Sequence, residues 1–121
     1  MGVQWIDHAG KRILYVDYAE CRTEEEMLAI YEMQAQQMRL QPTRSLVLSS
    51  FGGASIGSAY MKRVNEGGRT QGDLLLDKAA FLGVDGLKGI LFDGYVRVTG
   101  LGDKVKTFDN EADALAWLTK D

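Results

Sequence analysis

The N-terminal part of the chain has the hydrophobic pattern of two β-strands joined by a tight turn. Residues 3–6 and 13–18 are rich in branched and aromatic side chains, and the polar turn 8–11 separates them. In the second segment both alternating sets of side chains are largely apolar. Such a pattern is typical of a strand covered on both faces of its sheet. The sequence therefore predicts a hairpin whose second strand is buried on both sides.

A helix is predicted next, because its start signal and its period are both visible. Thr23 and Glu26 have the spacing of a capping box, in which a hydroxyl and a carboxylate satisfy free backbone N–H groups. Pro42 cannot continue a helix, and it predicts that this helix ends near Gln41. Between these limits apolar residues recur at helical spacing, namely Met27, Ile30, Tyr31, Ala35 and Met38.

The middle of the chain predicts a short strand, a loop and a weaker helix. Residues 45–50 are apolar at their centre and read as a buried strand, whereas residues 51–58 are rich in Gly and Ser and predict a loop. The helix that follows is expected to end or break at Gly67-Gly68, since each glycine costs about 1 kcal/mol within a helix. Its apolar residues are Tyr60, Met61 and Val64.

The C-terminal part predicts two more strands and a final helix. Residues 74–83 have the composition of a central strand, and residues 105–108 that of a short late strand. Asp109 or Asn110 is expected to cap a helix that continues through Lys120. The residues expected to face inward are Ala112, Leu115 and Ala116, with Trp117 and Leu118 beside them.

Residues 87–98 fit two different structures. Asp93-Gly94 between two apolar runs is a strong signal for a β-hairpin. The alternative is a helix capped by Asp85. Local propensity favours the hairpin slightly, because Gly89 and Gly94 weaken a helix. The helix would place five residues on one buried face: Leu87, Ile90, Leu91, Gly94 and Val98.

Composition narrows the class of protein. A chain of 121 residues suits a single domain over residues 1–121. The 14 Lys and Arg against 17 Asp and Glu give a net charge of -3, which argues against nucleic-acid binding driven by bulk charge. With one cysteine, Cys21, and one histidine, an internal disulfide and a zinc site built from such ligands are excluded. We expect a cytoplasmic protein without cofactor, metal or transmembrane segment, because no secretory signal or long apolar stretch is visible.

Three segments resemble a known bacterial family. Residues 78–91 resemble a strand that ends in a Gly-Val-x-Gly-Leu turn before a helix. Residues 105–118 resemble a closing strand and helix with an Ala-Leu-x-Trp-Leu pattern, and residues 5–18 are similar to the family's opening. The family is the STAS/SpoIIAA-like group, which is described as related to CRAL-TRIO lipid-binding domains.

The resemblance implies an α/β fold. The expected architecture is a STAS/SpoIIAA-like single layered domain with a mixed sheet of about five strands and about four helices. It also implies that residues 87–98 are helical, and we follow it there over the local hairpin signal. The Gly67-Gly68 pair departs from the family, in which a continuous helix is expected.

The helical alternative leaves apolar side chains away from its buried face. Phe92 and Val96 would lie outside that face and Tyr95 at its edge. An exposed apolar patch of this kind would indicate a partner surface or a homodimer interface. A neighbouring segment that covers these residues is the alternative.

The loop at residues 51–58 is the best candidate for a functional site. A glycine-rich turn that leads into a helix offers free backbone N–H groups to an anion. In STAS proteins that act as anti-sigma-factor antagonists, a serine in this loop is phosphorylated within an Asp-Ser-x-Gly motif, and Ala54-Ser-Ile-Gly57 resembles that motif without its aspartate. The alternative is that the glycines serve the turn and a serine caps the helix. The candidate anion-loop and phosphoacceptor residues are Gly52, Gly53, Ser55, Gly57 and, as a weaker acceptor, Ser58.

Other chemically interesting residues have simpler interpretations. His8 lies in a polar turn with no recognisable nucleophile, and acidic neighbours oppose ionisation of the Cys21 thiol. Lys62, Arg63 and Arg69 form a basic stretch that reads as a solvated helix face. The methionines at 27, 33 and 38 can line a soft apolar pocket, although ordinary packing is favoured for them.

We therefore expect a non-catalytic STAS-like regulatory or protein-interaction module, switched by an anion or a phosphate at the loop 51–58. The alternative is a small apolar-ligand or lipid-binding protein of CRAL-TRIO-like type. An enzyme is not expected, because no paired carboxylates, metal cluster or nucleophile–base set is recognisable. The expected partners are another protein or a second copy of the chain in a two-fold homodimer, and a lipid is the ligand in the alternative function.

Overall fold

Five strands form one mixed sheet in the order β1-β2-β3-β4-β5, and four helices pack on it. The computed structural model describes residues 2–120. This α/β architecture confirms the predicted fold class and the predicted counts of strands and helices. The elements are β1 (Gly2–His8), β2 (Lys11–Asp17), α1 (Glu24–Arg39), β3 (Ser45–Ser50), α2 (Ser58–Leu75), β4 (Leu76–Leu82), α3 (Leu87–Thr99), β5 (Val105–Phe108) and α4 (Glu111–Thr119).

The first two strands form the predicted hairpin. β1 and β2 pair antiparallel, with His8 opposite Lys11. The two connecting residues, Ala9 and Gly10, both have positive φ angles of 50° and 78°, as a type I′ turn requires. From β2 onward all strands pair in parallel, so each connection between them crosses over through a helix.

The helices divide the core into two layers. α1, α2 and α3 cover one face of the sheet, which we call the three-helix face, where Val47 and Ala79 point into the larger core cluster. α4 alone covers the opposite face, where Leu48 and Ala80 meet Leu118. The central strands are therefore apolar on both sides, as the continuous apolar runs predict.

The start of α1 follows the prediction closely. The Thr23 hydroxyl accepts from the Glu26 backbone N–H, and the Glu26 carboxylate accepts from the Thr23 backbone N–H at 3.0 Å, which completes the capping box. The hydrogen bonds to backbone N–H groups lower the pKa of Glu26. The helix ends at Arg39, slightly before the predicted end near Gln41.

The predicted break at Gly67-Gly68 is wrong, because α2 runs through both glycines without interruption. A Cβ at Gly67 would overlap the Tyr31 hydroxyl, and a Cβ at Gly68 would lie 2.7 Å from Cγ2 of Thr99. A Cβ at Gly72 would lie 2.7 Å from Cδ1 of Leu101. The glycines thus let neighbouring elements approach α2 closely, and that packing outweighs their low helix propensity.

Residues 87–99 form a helix, as the family resemblance implies and contrary to the local hairpin signal. Gly94 lies inside α3 and does not have the positive φ that a type I′ turn needs. Gly100 ends the helix in the left-handed conformation with φ of 71°, a common C-terminal arrangement for glycine.

α4 begins at the predicted cap but turns a different face inward. The Asn110 side chain accepts from the Asp113 backbone N–H at 2.9 Å. Ala114 and Leu118 are fully buried, whereas Ala112 and Ala116 are exposed, so the predicted inward face is wrong for these two alanines. The helix is short, and burying Leu118 on the sheet together with Ala114 one turn earlier sets its rotation.

Candidate functional site

An apolar cavity of about 100 Å³ lies between the sheet and the helices of the three-helix face, and it is partly open to solvent. β3 and β4 contribute Val47, Ala79 and Phe81 to its floor. The walls come from α1, α2 and α3, among them Ala35 and Tyr60. All three crossover helices therefore meet the sheet around this space.

Aromatic rings form a continuous part of the wall. Phe51 stacks on Phe81 with ring centroids 6.2 Å apart. Phe81 also meets Phe92 at 5.4 Å and Tyr95 at 6.3 Å, both edge-to-face. Such pairs each contribute about 0.5–1.5 kcal/mol beyond the apolar area that they bury. The rings connect the floor of the cavity to α3 and hold this helix over it.

The neutral polar groups around the cavity come from tyrosine, glutamine and serine side chains. Burial raises the pKa of Tyr60 and Tyr95, which line it, and of Tyr18, whose ring packs on Tyr60. These phenols therefore stay neutral at ordinary pH and offer O–H groups without charge. The Tyr18 hydroxyl is buried without a hydrogen bond of good geometry, although Tyr60 lies close enough to affect its pKa.

α3 faces the cavity with the apolar side chains outside its predicted buried face, so that predicted face is wrong, and the alternative in which other parts of the chain cover these side chains is correct. Phe92, Tyr95 and Val96, the predicted interface residues, are partly buried against the main core. Leu87 and Ile90, predicted to be buried, are 72% and 68% exposed. The physical reason is that the aromatic rings offer more apolar area to bury and find Phe81 opposite them.

The attachment of α3 to the rest of the fold depends on glycines. No residue of α3 is fully buried. Gly83 and Gly86 precede the helix with φ of 77° and 55°, and Gly100 follows it with φ of 71°. These backbone conformations favour glycine, and few other residues adopt them without strain. The helix is thus a covering element joined at both ends by glycine turns.

The glycine-rich loop 51–58 packs tightly at its start. Gly52 has a φ of 52°, and a Cβ there would lie 2.8 Å from the Cβ of Ala19. A Cβ at Gly83 would lie 2.8 Å from the Gly52 backbone nitrogen. The Phe51 N–H donates to the Leu82 carbonyl at 3.0 Å. Gly52 therefore allows two backbone segments to touch, as the turn interpretation of the loop predicts.

The N-terminus of α2 is already occupied by an internal anion. Glu24 Oε2 accepts from the backbone N–H groups of Ala59 and Tyr60 at 3.0 and 3.2 Å. Gly57 is the N-cap residue, and the space that its Cβ would fill holds the Glu24 carboxylate. The N–H groups that were expected to face an external anion thus face a carboxylate of α1, which also suits the dipoles of both helices.

The serines of the loop remain accessible. Ser55, Ser58 and Gly53 are all exposed. The N-cap position is Gly57, and it makes no side-chain capping bond, so the interpretation of a serine as the cap is wrong. Ser58 begins α2 beside the Glu24 carboxylate, whereas Ser55 lies three positions earlier in the open part of the loop.

The remaining candidate residues are not brought together at one place. His8 is exposed at the end of β1. Cys21 is buried, and burial together with Glu26 raises the pKa of its thiol. Arg63 pairs with Glu32 at 2.6 Å. Of the three methionines singled out in the sequence, Met38 lines the cavity, Met27 lies in the core and Met33 is exposed.

Lys88 also lines the cavity, although no sequence pattern predicts it there. Its Nζ donates to the Gly52 carbonyl oxygen at 3.0 Å, across 36 positions of the chain. It is the one charged residue among the described residues that line the cavity. A single lysine in an ambiguous segment gives no pattern in the sequence, because its position depends on the orientation of α3.

Neither the arrangement of the described side chains nor comparison with known proteins assigns a function directly. Within residues 2–120 no group of three or more His, Cys, Asp or Glu side chains is placed to hold a metal ion. In the same part of the chain no helix is long and apolar enough to cross a bilayer. Comparison with protein-family models, with curated proteins and with solved structures finds no significant match. The STAS/SpoIIAA-like resemblance therefore stays a prediction, and the function is argued from the site.

Proposed function

We propose that the protein binds a small apolar molecule in the cavity beneath α3. The observation that carries this proposal is the cavity itself, about 100 Å³ with walls formed mainly by aromatic and aliphatic side chains. Protein interiors are normally packed without such spaces. Apolar ligand atoms placed there would be removed from water and would gain packing contacts with these side chains.

The attachment of α3 supports the proposal, because a bound molecule needs a route of entry. Glycine turns at both ends and the lack of a fully buried residue make α3 the least firmly packed helix of the three-helix face. A small displacement of α3 separates Phe92 from Phe81 and widens the open side of the cavity. No bond is made or broken, so the function requires no catalytic group.

The test is a titration with 1-octanol followed by amide chemical shifts. The expected result is saturable binding, with the largest shifts at residues that line the cavity. Ala35→Leu places extra carbon atoms in the cavity and is expected to abolish binding while stability is kept or raised. Ala29→Leu makes the same change on the exposed side of α1 and is expected to leave binding intact. Equal binding by both variants would contradict the proposal.

We propose as a second function the regulatory module that the family resemblance implies, with Ser55 as the phosphoacceptor. The exposure of Ser55 supports this choice. Ser58 is disfavoured because a phosphate there would add about −1.5 to −2 charges beside the Glu24 carboxylate. The test is mass spectrometry of protein purified from its own host. A phosphate on Ser55 is expected, and an unmodified Ser55 under all growth conditions would contradict this function.

A further inference from the structure

The charge of the cavity walls points to one class of ligand. Lys88 supplies a single positive charge, and every other described lining residue is apolar or neutral. Arg63 and Lys104 pair with Glu32 and Asp73, whereas no carboxylate within residues 2–120 lies at ion-pair distance from Lys88. The cavity thus presents one cation that has no ion-pair partner among the described residues.

The ammonium group of Lys88 is held in place and still has free donors. One of its three N–H bonds is used by the Gly52 carbonyl oxygen, which leaves two. Gly52 in turn is fixed by its close backbone contact with Gly83. Lys88 is partly buried, so an ion pair made there is stronger than one at a fully solvated site.

We propose that the ligand is a monocarboxylate with an apolar body, whose carboxylate binds Lys88 and whose body lies along Phe51, Phe81 and Phe92. This inference rests on the proposed ligand-binding function. A carboxylate carries one negative charge and matches the single lysine, whereas a phosphate monoester carries about −1.5 to −2 and would be left partly uncompensated. An ammonium group would be repelled.

The volume limits the size of the apolar body. A buried cavity of about 150 Å³ holds a molecule as small as benzene. The cavity here is smaller, about 100 Å³, and open on one side, so it accepts only part of an alkyl chain while the rest of the ligand lies in the open region. Octanoate is a suitable probe, with 1-octanol and octylammonium as matched neutral and cationic molecules.

The experiment compares these three probes with the wild-type protein near neutral pH, by calorimetry or by amide chemical shifts. The expected order is octanoate first, 1-octanol about tenfold weaker and octylammonium weakest, since a hydrogen bond to a charged group is worth at least that ratio. Lys88→Met is expected to lower octanoate affinity about tenfold and to leave 1-octanol binding unchanged. Lys88→Arg keeps the charge and is expected to keep the preference for octanoate.

Lys62→Met is the control for net charge, because Lys62 is exposed on α2 and does not line the cavity. Binding of 1-octanol shows for each variant that the fold is intact. If 1-octanol binds but octylammonium binds as tightly as octanoate, the carboxylate proposal is overturned and the proposed function survives. The same conclusion follows if Lys88→Met leaves octanoate affinity unchanged. If no probe binds the folded wild-type protein, both proposals are overturned.

Discussion

Replacing Gly94 by alanine distinguishes a helix from a hairpin at residues 87–98 by the sign of the stability change. In α3, Gly94 lies in the helix interior, and a Cβ built there meets nothing within 4 Å. The substitution therefore has no steric cost. In the type I′ turn that the sequence also suggests, the same position would have a positive φ, which alanine adopts only with strain.

The magnitude follows from helix propensity. Alanine is favoured over glycine by about 0.8–1.0 kcal/mol in a helix interior, so Gly94→Ala should raise the free energy of unfolding by nearly that amount. For a chain of this length the rise corresponds to roughly 3–5 °C in Tm. A hairpin would instead lose about 1 kcal/mol through the strained φ.

The assay is urea unfolding of the wild type, of Gly94→Ala and of the matched variant Gly86→Ala. Gly86 also has nothing within 4 Å of a built Cβ, but its φ is 55°. The same chemical change is therefore expected to destabilise the protein there by about 1 kcal/mol. A loss of stability in Gly94→Ala, or equal effects at the two positions, would refute the helical assignment and the covering role of α3.

Three further predictions concern other parts of the fold. Glu24→Ala removes the carboxylate that caps α2 and should lower the free energy of unfolding by about 1–2 kcal/mol. The control Glu25→Ala, in the same turn of α1 but exposed, should lower it by less than about 0.5 kcal/mol. Similar losses for the two variants in denaturant titrations would contradict the cap between the helices. The pKa values of Tyr18 and Tyr60 are raised by burial, so their contribution to stability is complete below the unfolded tyrosine pKa near 10 and is lost as pH rises above it. For two tyrosines the free energy of unfolding should fall by about 2.7 kcal/mol per pH unit above about pH 10. Ultraviolet absorbance follows tyrosine ionisation in the folded protein, and reversible ionisation of all tyrosines near pH 10 would refute this prediction. Burial also raises the pKa of the Cys21 thiol, so its reaction with a disulfide reagent should be much slower in the native than in the urea-unfolded protein, and equal rates would show that the thiol is accessible.

Much of the fold is predictable because its signals are local. The capping box at Thr23, the strand at residues 45–50 and the late strand at residues 105–108 appear in the structure where the sequence places them. Each depends on side chains within a few residues of one another. The sequence therefore locates these elements before any tertiary contact is known.

The errors occur where distant contacts decide the outcome. Gly67 and Gly68 read as helix breakers, but Tyr31 and Thr99 from other helices occupy the space beside them. The rotation of α3 depends on Phe81 of β4, which no periodicity within residues 87–98 reveals. The cavity and the position of Lys88 depend on that rotation, so sequence patterns could not predict the candidate site.

Intermolecular nuclear Overhauser effects show whether a ligand occupies the cavity. The sample is isotope-labelled protein with unlabelled octanoate, filtered for contacts between ligand and protein protons. Contacts are expected from the ligand chain to the ring of Phe81 on β4 and to the ring of Phe92 on the inner side of α3. Contacts to Leu87 and Ile90, on the exposed side of the same helix, without any to the two rings, would contradict binding in the cavity.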